Sequence, residues 1–75
     1  MIEKKIRKAL IKVFKKEKIS KNITKLKFGS FKSWDSLNHL NLLLLIENNF
    51  KIKFTIMEMS KIKSIKDLIK TIKKK

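Results

Sequence analysis

The sequence contains no cysteine and a single histidine, which limits the chemistry that its side chains can support. Without cysteine the chain can form neither a disulfide bond nor a thiolate metal site. His39 cannot build a zinc site without carboxylate ligands, and the six acidic residues are scattered along the chain. No combination of nucleophile, base and acid stands out, so we do not expect an enzyme.

Proline is absent and glycine occurs once, at Gly29, while isoleucine, leucine and lysine dominate. This composition favours helices over a sheet with many tight turns. A chain of 75 residues buries little apolar surface, so its stability must come from closely packed helices. The sequence therefore predicts one all-α domain over residues 1–75, a small bundle of three longer helices and a short third helix.

The N-terminal stretch MIEKKIRKAL lacks the features of a signal peptide, because it is charged from its third residue and has no apolar core. The apolar run at residues 42–46 is far shorter than the roughly 20 residues that a membrane-spanning helix needs. We expect a soluble, cytoplasmic protein that is a monomer.

Acidic residues are few, and the formal net charge of +15 is unevenly distributed. Residues 1–30 carry eleven basic and two acidic side chains, a net +9, and residues 51–75 carry nine and two, a net +7. Between them, residues 33–50 contain neither lysine nor arginine. The basic segments would attract nucleic acid or anionic lipid whether or not this is their function. Compositional enrichment and a selected polyanion site both remain open as the origin of the charge.

Apolar residues at helical spacing predict a first amphipathic helix over residues 2 to about 18. The periodicity is lost over residues 19–34, where isolated apolar residues anchor a long loop: Ile23, Leu26, Phe28 and Phe31. A central helix follows, with Asp35 or Ser36 as N-cap and with apolar residues on several faces. We expect Thr55 to cap a third helix of one or two turns. Ser64 should cap the last helix, with Asp67 completing an approximate capping box.

The helix order, the chain length and the segment WDSLNHLNLLLLIENNFKIKF resemble the acyl carrier protein family, including peptidyl carrier domains. The resemblance covers essentially the whole chain, and its most specific part is Asp35, Ser36 and Leu37 followed by an apolar helix. The segment looks most like stand-alone carriers of specialised pathways, such as bacterial surface-polysaccharide or secondary-metabolite synthesis. The resemblance implies an acyl-carrier-like four-helix bundle that carries acyl or aminoacyl groups as thioesters.

The resemblance also implies roles for the residues at the start of the central helix. Ser36 would carry a covalent 4′-phosphopantetheine arm, installed by a phosphopantetheinyl transferase whose magnesium ion Asp35 helps to hold. Leu37 would face the transferase and the enzymes that load and transfer acyl groups, and we expect their docking contacts to extend to Asn38 and Asn41. The free N–H groups and the positive dipole end of a helix start would stabilise the phosphodiester. Because Asp and Ser are also common structural caps, the tripeptide is informative only in this position of the chain.

The central helix departs from the carriers of fatty-acid synthesis, in which acids along this helix meet basic patches on partner enzymes. Asparagines stand at the corresponding surface here: Asn38, Asn41, Asn48 and Asn49. We therefore predict docking through polar and apolar contacts with little charge steering. By family analogy, an acyl chain would enter between the second and third helices, where the expected lining residues are Leu45, Ile46, Met59 and Ile62.

Other residues that attract attention have simpler interpretations. We expect His39 to be a surface histidine and Trp34 to pack against the loop rather than to stack on a base. The five phenylalanines fall at apolar positions and are expected in the core. Met57 and Met59 are expected to pack within the short third helix.

Two other functions compete with the carrier. A small basic nucleic-acid-binding helical protein is the main alternative, but Arg7 is the single arginine and no helix-turn-helix spacing is evident. A membrane-active cationic helical peptide is the second alternative. The apolar stripes of the terminal helices are better explained by burial in a bundle.

Overall fold

The computed structural model describes residues 2–75, which form four helices. These are α1 (Ile2–Val13), α2 (Ser36–Phe50), α3 (Ile56–Lys61) and α4 (Ile65–Lys73). The described residues contain no extended strand, and one isolated antiparallel bridge pairs Lys27 with Ser64. The all-α prediction is thereby confirmed.

Helix α1 ends at Val13, so the prediction that it continues to about residue 18 is wrong. The side chain of Phe14, the next residue, is buried in the core. A helix continuing in the same direction would turn Glu17 and Lys18 toward the core, because they follow Phe14 by three and four residues. The chain turns away instead, and Ile19 enters the core while residues 15, 16 and 18 stay exposed.

The loop between α1 and α2 has little regular structure but is attached to the helices at several points. The guanidinium of Arg7, on α1, donates hydrogen bonds to the carbonyl oxygens of Ile19 and Ser20 at 2.9 and 3.1 Å. Farther along, the N–H of Phe28 donates to the carbonyl oxygen of Lys63 at 2.8 Å. The loop therefore connects α1 with the segment between α3 and α4.

Side chains cap α3 and α4, as the sequence predicts. Thr55 and Glu58 form a reciprocal capping box at the start of α3. At the start of α4, the hydroxyl of Ser64 accepts the N–H of Asp67 at 3.1 Å. The Asp67 carboxylate accepts the N–H of Lys63, also at 3.1 Å. A regular capping box would use the N–H of Ser64 instead, so the predicted box is only approximate.

Helix α2 is the most apolar helix, and its sides have different environments. Leu42, Leu43 and Ile46 are buried, whereas Leu40 and Leu44 are 44% and 47% exposed. The prediction that α2 is contacted on several sides is therefore only partly confirmed, because the side that carries Leu40 and Leu44 is exposed. No helix within residues 2–75, α2 included, is both long and apolar enough to cross a membrane.

The five phenylalanines, all predicted in the core, differ in their burial. Phe14 and Phe54 are buried, and Phe31 and Phe50 pack against the core while partly exposed. The prediction is wrong for Phe28, which is 42% exposed. Its backbone is bonded to the segment between α3 and α4, which leaves the ring at the rim of the core.

Helix α3 contributes no buried residue, and the core is assembled from α1, α2, α4, the inner side of the loop between α1 and α2, and residues on either side of α3. Its buried hydrophobic side chains are Ile6, Ala9, Leu10, Phe14, Ile19, Ile23, Trp34, Leu42, Leu43, Ile46, Phe54, Ile62, Ile65, Leu68 and Ile72.

Candidate functional site

Ser36 is the first residue of α2, and it is exposed. The N-cap, Asp35, has an extended backbone with φ −97° and ψ −176°, and its carboxylate accepts the N–H of Asn38 at 2.9 Å. Helix geometry leaves the N–H groups of Ser36 and Leu37 without an acceptor inside the helix. The Ser36 hydroxyl therefore belongs to a turn whose backbone donors and dipole favour a negative group.

Trp34 anchors the chain immediately before this helix start. The indole is 2% exposed, and its ring centroid lies 5.1 Å from that of Phe14 and 5.9 Å from that of Phe31. The neighbouring carbonyl of Ser33 accepts a hydrogen bond from the side-chain amide of Asn38 at 2.7 Å. The predicted packing role of Trp34 is confirmed. The start of α2 is held by the packing of Trp34 before it and by the hydrogen bond from Asn38 to Ser33.

The three predicted docking residues lie together on the first turns of α2 but differ in availability. Leu37 is 67% exposed. Asn38 is half-buried, because its amide is bonded to the loop. Asn41 is exposed and donates to the side-chain oxygen of Asn38 at 3.3 Å. Of the two asparagines, Asn41 is therefore the more accessible to a partner.

Exposed apolar side chains occur on α2 beyond the predicted docking residues, and also on α3. Leu40 and Leu44 follow Leu37 along one side of α2. On α3, Ile56 is 88% and Met57 is 69% exposed, so the expectation that Met57 packs inside is wrong. A helix as short as α3 turns only one side toward the core, which leaves these two residues outside. The i, i+3, i+7 spacing of the leucines was the available sequence signal.

The four residues expected to line an acyl pocket do not have the same surroundings. Ile46 and Ile62 are buried in the core, and Met59 packs against it while partly exposed. Leu45 lines a surface cleft beside the end of α1, together with Val13. The role of these residues in holding an acyl chain stays a prediction.

His39 is not a free surface histidine, and that expectation is wrong. The residue is half-buried, and its Nδ1 lies 3.0 Å from the indole nitrogen of Trp34. Its Nε2 lies 2.7 Å from the carbonyl oxygen of Ile62, and its ring meets that of Phe28 edge-on at 5.1 Å. The sequence pattern contains no signal for this arrangement, because Ile62 is 23 residues away along the chain.

Glu47 is a buried acidic residue that fixes the far end of α2. It is 9% exposed, and its carboxylate accepts the N–H of Phe54 at 2.6 Å. Its backbone carbonyl accepts the N–H of Ile52 at 3.0 Å. A buried carboxylate needs such donors, so we assign Glu47 a structural role in joining α2 to the segment before α3.

Basic side chains are absent from α2 itself, but Lys12, Lys15 and Lys16 line the same surface cleft as Asn38 and Asn41. Helix α2 contains no lysine or arginine, and the nearest lysines along the chain are Lys32 and Lys51. Every lysine is exposed. Within residues 2–75, no three His, Cys, Asp or Glu side chains come together in a way that could hold a metal ion.

Comparison with known proteins adds no relative: no family model matches the chain, and no curated protein or solved structure matches it either.

Proposed function

We propose that the chain is an acyl carrier that holds acyl or aminoacyl groups as thioesters on a 4′-phosphopantetheine arm attached to Ser36. The observation that supports this most directly is the exposed Ser36 at the first position of α2, in a turn capped by Asp35. An acyl-carrier-like bundle is part of the proposal. The order of the helices, with the long loop before α2 and the short α3, supports it.

The residues at the helix start suit a covalent phosphodiester. The N–H groups of Ser36 and Leu37 have no intrahelical acceptor and are available to its oxygens. Modification by coenzyme A would form a bond from Ser36 Oγ to phosphorus, release adenosine 3′,5′-bisphosphate and pass the hydroxyl proton to a base of the transferase. The arm supplies a thiol, a group that the chain lacks because it has no cysteine.

Asp35 would contribute a carboxylate to the magnesium ion that the transferase uses. Because the described residues contain no metal-binding cluster, the remaining ligands would come from the transferase and coenzyme A. The carrier itself would need no resident metal. Its partners would be the transferase and the acyl-loading and acyl-transfer enzymes, in the cytoplasm.

Partner enzymes would dock on the exposed apolar surface of α2 with little charge steering. The absence of lysine and arginine from α2 supports this mode. The kcat/KM of the cognate acyl-loading enzyme should then change only weakly as the salt concentration rises. A steep fall in kcat/KM with salt would contradict it.

The decisive experiment is the intact mass of the protein after incubation with a permissive phosphopantetheinyl transferase, coenzyme A and magnesium. We expect wild type and the control variant Ser60→Ala, which alters another exposed serine, to gain one phosphopantetheine. Ser36→Ala should gain none. A wild-type chain that several transferases leave unmodified, while a known carrier is modified in parallel, would contradict the proposal.

A small nucleic-acid-binding protein is the second candidate, and one observation favours it. A cleft between α1 and α4 is lined by four basic side chains, Lys4, Arg7, Lys21 and Lys73, together with Glu3, Ile2 and Ile69. The Arg7 guanidinium, however, already donates to two loop carbonyls, which limits its capacity to read bases. We therefore expect binding of duplex DNA to be weak, independent of sequence and lost as salt rises. Salt-resistant, sequence-selective binding in a fluorescence anisotropy titration would favour this candidate over the carrier.

A further inference from the structure

Trp34, His39 and Ile62 form a continuous chain of hydrogen bonds, which we call the His39 bridge. The indole N–H of Trp34 donates to Nδ1 of His39 at 3.0 Å, and Nε2 of His39 lies 2.7 Å from the carbonyl oxygen of Ile62. An indole N–H can only donate and a carbonyl oxygen can only accept. Both bonds therefore form together only when the imidazole is neutral and carries its hydrogen on Nε2.

Both ends of the His39 bridge are held by the core. Trp34, two residues before Ser36, is 2% exposed and packs against the ring of Phe14. Ile62 is also 2% exposed and is the C-cap of α3, where its N–H donates to the carbonyl oxygen of Glu58 at 3.1 Å. The bridge thus connects the start of α2 with the end of α3 through groups that have little freedom to move.

Backbone bonds reinforce this junction, but at a different part of the loop. The N–H of Phe28 donates to the carbonyl of Lys63 at 2.8 Å, and the N–H of Ile65 donates to that of Leu26 at 3.0 Å. These bonds attach residues 26–28 to the segment between α3 and α4. The His39 bridge makes the corresponding connection at the end of the loop that adjoins Ser36.

We propose that His39 is a positioning residue for Ser36. It lies three residues after Ser36 on α2 and acts through Trp34 and Ile62, which together set the place of the helix start relative to α3. An enzyme that acts on the Ser36 hydroxyl while it contacts α3 requires the start of α2 to be correctly placed relative to α3. Reaction rates fall steeply when reacting groups are misplaced. The effect on modification rests on the proposed function, whereas the effect on the order of the helix start does not.

The test compares three variants by nuclear magnetic resonance and by transferase kinetics. His39→Phe keeps an aromatic ring but removes both hydrogen bonds. His39→Gln keeps a donor that can reach the carbonyl of Ile62. The control is Ile72→Val, a core substitution near the C-terminal end of α4. This position lies about 10 Å along the helix axis from Ile65, the first residue of α4. All variants are measured at one temperature and one pH, at which each of them is folded.

In wild type we expect the hydrogen on Nε2 of His39 and a scalar coupling between the Trp34 indole nitrogen and Nδ1. The signals are unambiguous, because the chain has one tryptophan and one histidine. His39→Phe should speed amide hydrogen exchange at residues 38 and 39, whose N–H groups donate to the side chain and the carbonyl of Asp35, by about tenfold relative to Ile72→Val. Its kcat/KM for the transferase should fall by about fivefold or more, mainly through kcat, with partial recovery in His39→Gln.

A wild-type imidazole with its hydrogen on Nδ1, or without the coupling, would overturn the His39 bridge. Equal amide exchange in His39→Phe and Ile72→Val would overturn the positioning role. A wild-type chain that is not modified at all would remove the proposed function and the kinetic part of this inference. In that case the amide exchange still decides whether His39 positions the helix start.

Discussion

Helices α1 and α2 both pack one side into the core, but they differ in what they leave exposed. Helix α1 presents lysines, and its most exposed large apolar residue is Ile11, at 43%. Helix α2 presents no lysine or arginine, and it exposes Leu37, Leu40 and Leu44 at 67%, 44% and 47%. Burial therefore accounts for most apolar residues of α1 but leaves three leucines of α2 exposed.

We expect this difference to separate the residues that fold the chain from those that contact partners. Contiguous exposed apolar surface marks sites of interaction, whereas isolated exposed apolar residues are ordinary. Ile56 and Met57 are further exposed apolar residues, on α3. We therefore expect the lysine-rich side of α1 to remain solvated and the apolar side of α2 to be covered when a partner binds.

The largest expected effect contrasts two adjacent leucines of α2. Leu43 is 2% exposed and Leu44 is 47% exposed. Leu43→Ala should lower the free energy of unfolding by about 2–5 kcal/mol, because it leaves a cavity in the core. Leu44→Ala should change it by no more than about 0.5 kcal/mol. Urea unfolding of the two variants measures the difference, and equal losses would show that the two sides of α2 are not distinct.

The next effect concerns docking. Leu37→Ala should reduce the kcat/KM of the transferase by about tenfold, roughly 1.4 kcal/mol, because Leu37 is exposed beside Ser36 and available to an enzyme. Ile11→Ala removes an exposed apolar residue of α1 and should leave kcat/KM unchanged. Both variants should retain their thermal stability. A similar loss of kcat/KM in both would argue against a docking surface on α2.

A smaller effect is expected where α2 ends. Lys51 has φ 56° and ψ 44°, a left-handed conformation that glycine adopts at lower cost. A residue with a Cβ costs about 1–2 kcal/mol in this conformation and glycine loses about 0.5–1 kcal/mol of backbone entropy, so Lys51→Gly should raise the free energy of unfolding by about 0.5–1 kcal/mol. The control is Gly29→Ala, at φ +88°, where an added Cβ would meet no atom within 4 Å. It should lower stability by about 1 kcal/mol through the backbone alone, so a change of the same sign in both variants would refute this account.

The smallest effect is expected from the charged surface. The ammonium of Lys75, 2.6 Å from the Glu58 carboxylate, and then the N–H of Thr55 lower the pKa of Glu58. Because its pKa in the folded chain lies below its unfolded value, this contribution is present above the unfolded pKa and is lost as pH falls through the folded pKa.

Glu58→Gln keeps a side chain that can form the capping box but does not titrate. Wild type should therefore lose slightly more thermal stability than Glu58→Gln on acidification from neutral pH to about pH 3. Thermal unfolding at several pH values checks this. Parallel pH dependences would mean that the ion pair does not stabilise the fold.

Helix starts were predictable from the sequence, whereas the end of α1 was not. Asp35, Thr55 and Ser64 each cap a helix through an N–H three residues later, a contact within a single turn. The end of α1 depends on Ile19, which reaches the core only if the helix stops before it. That requirement involves packing between segments, which local periodicity does not record.

The sequence by itself determined the all-helical class, the caps, the lysine-free stretch that became α2, and the position of Ser36 at a helix start. These features depend on residues within one or two turns of each other. Only the tertiary structure decided that Leu43 is buried and Leu44 exposed, and that His39 joins Trp34 to Ile62. The physical reason is that burial and bridging depend on which distant segments pack together, and neighbouring leucines of one helix have the same local chemistry until that packing turns them toward different surroundings.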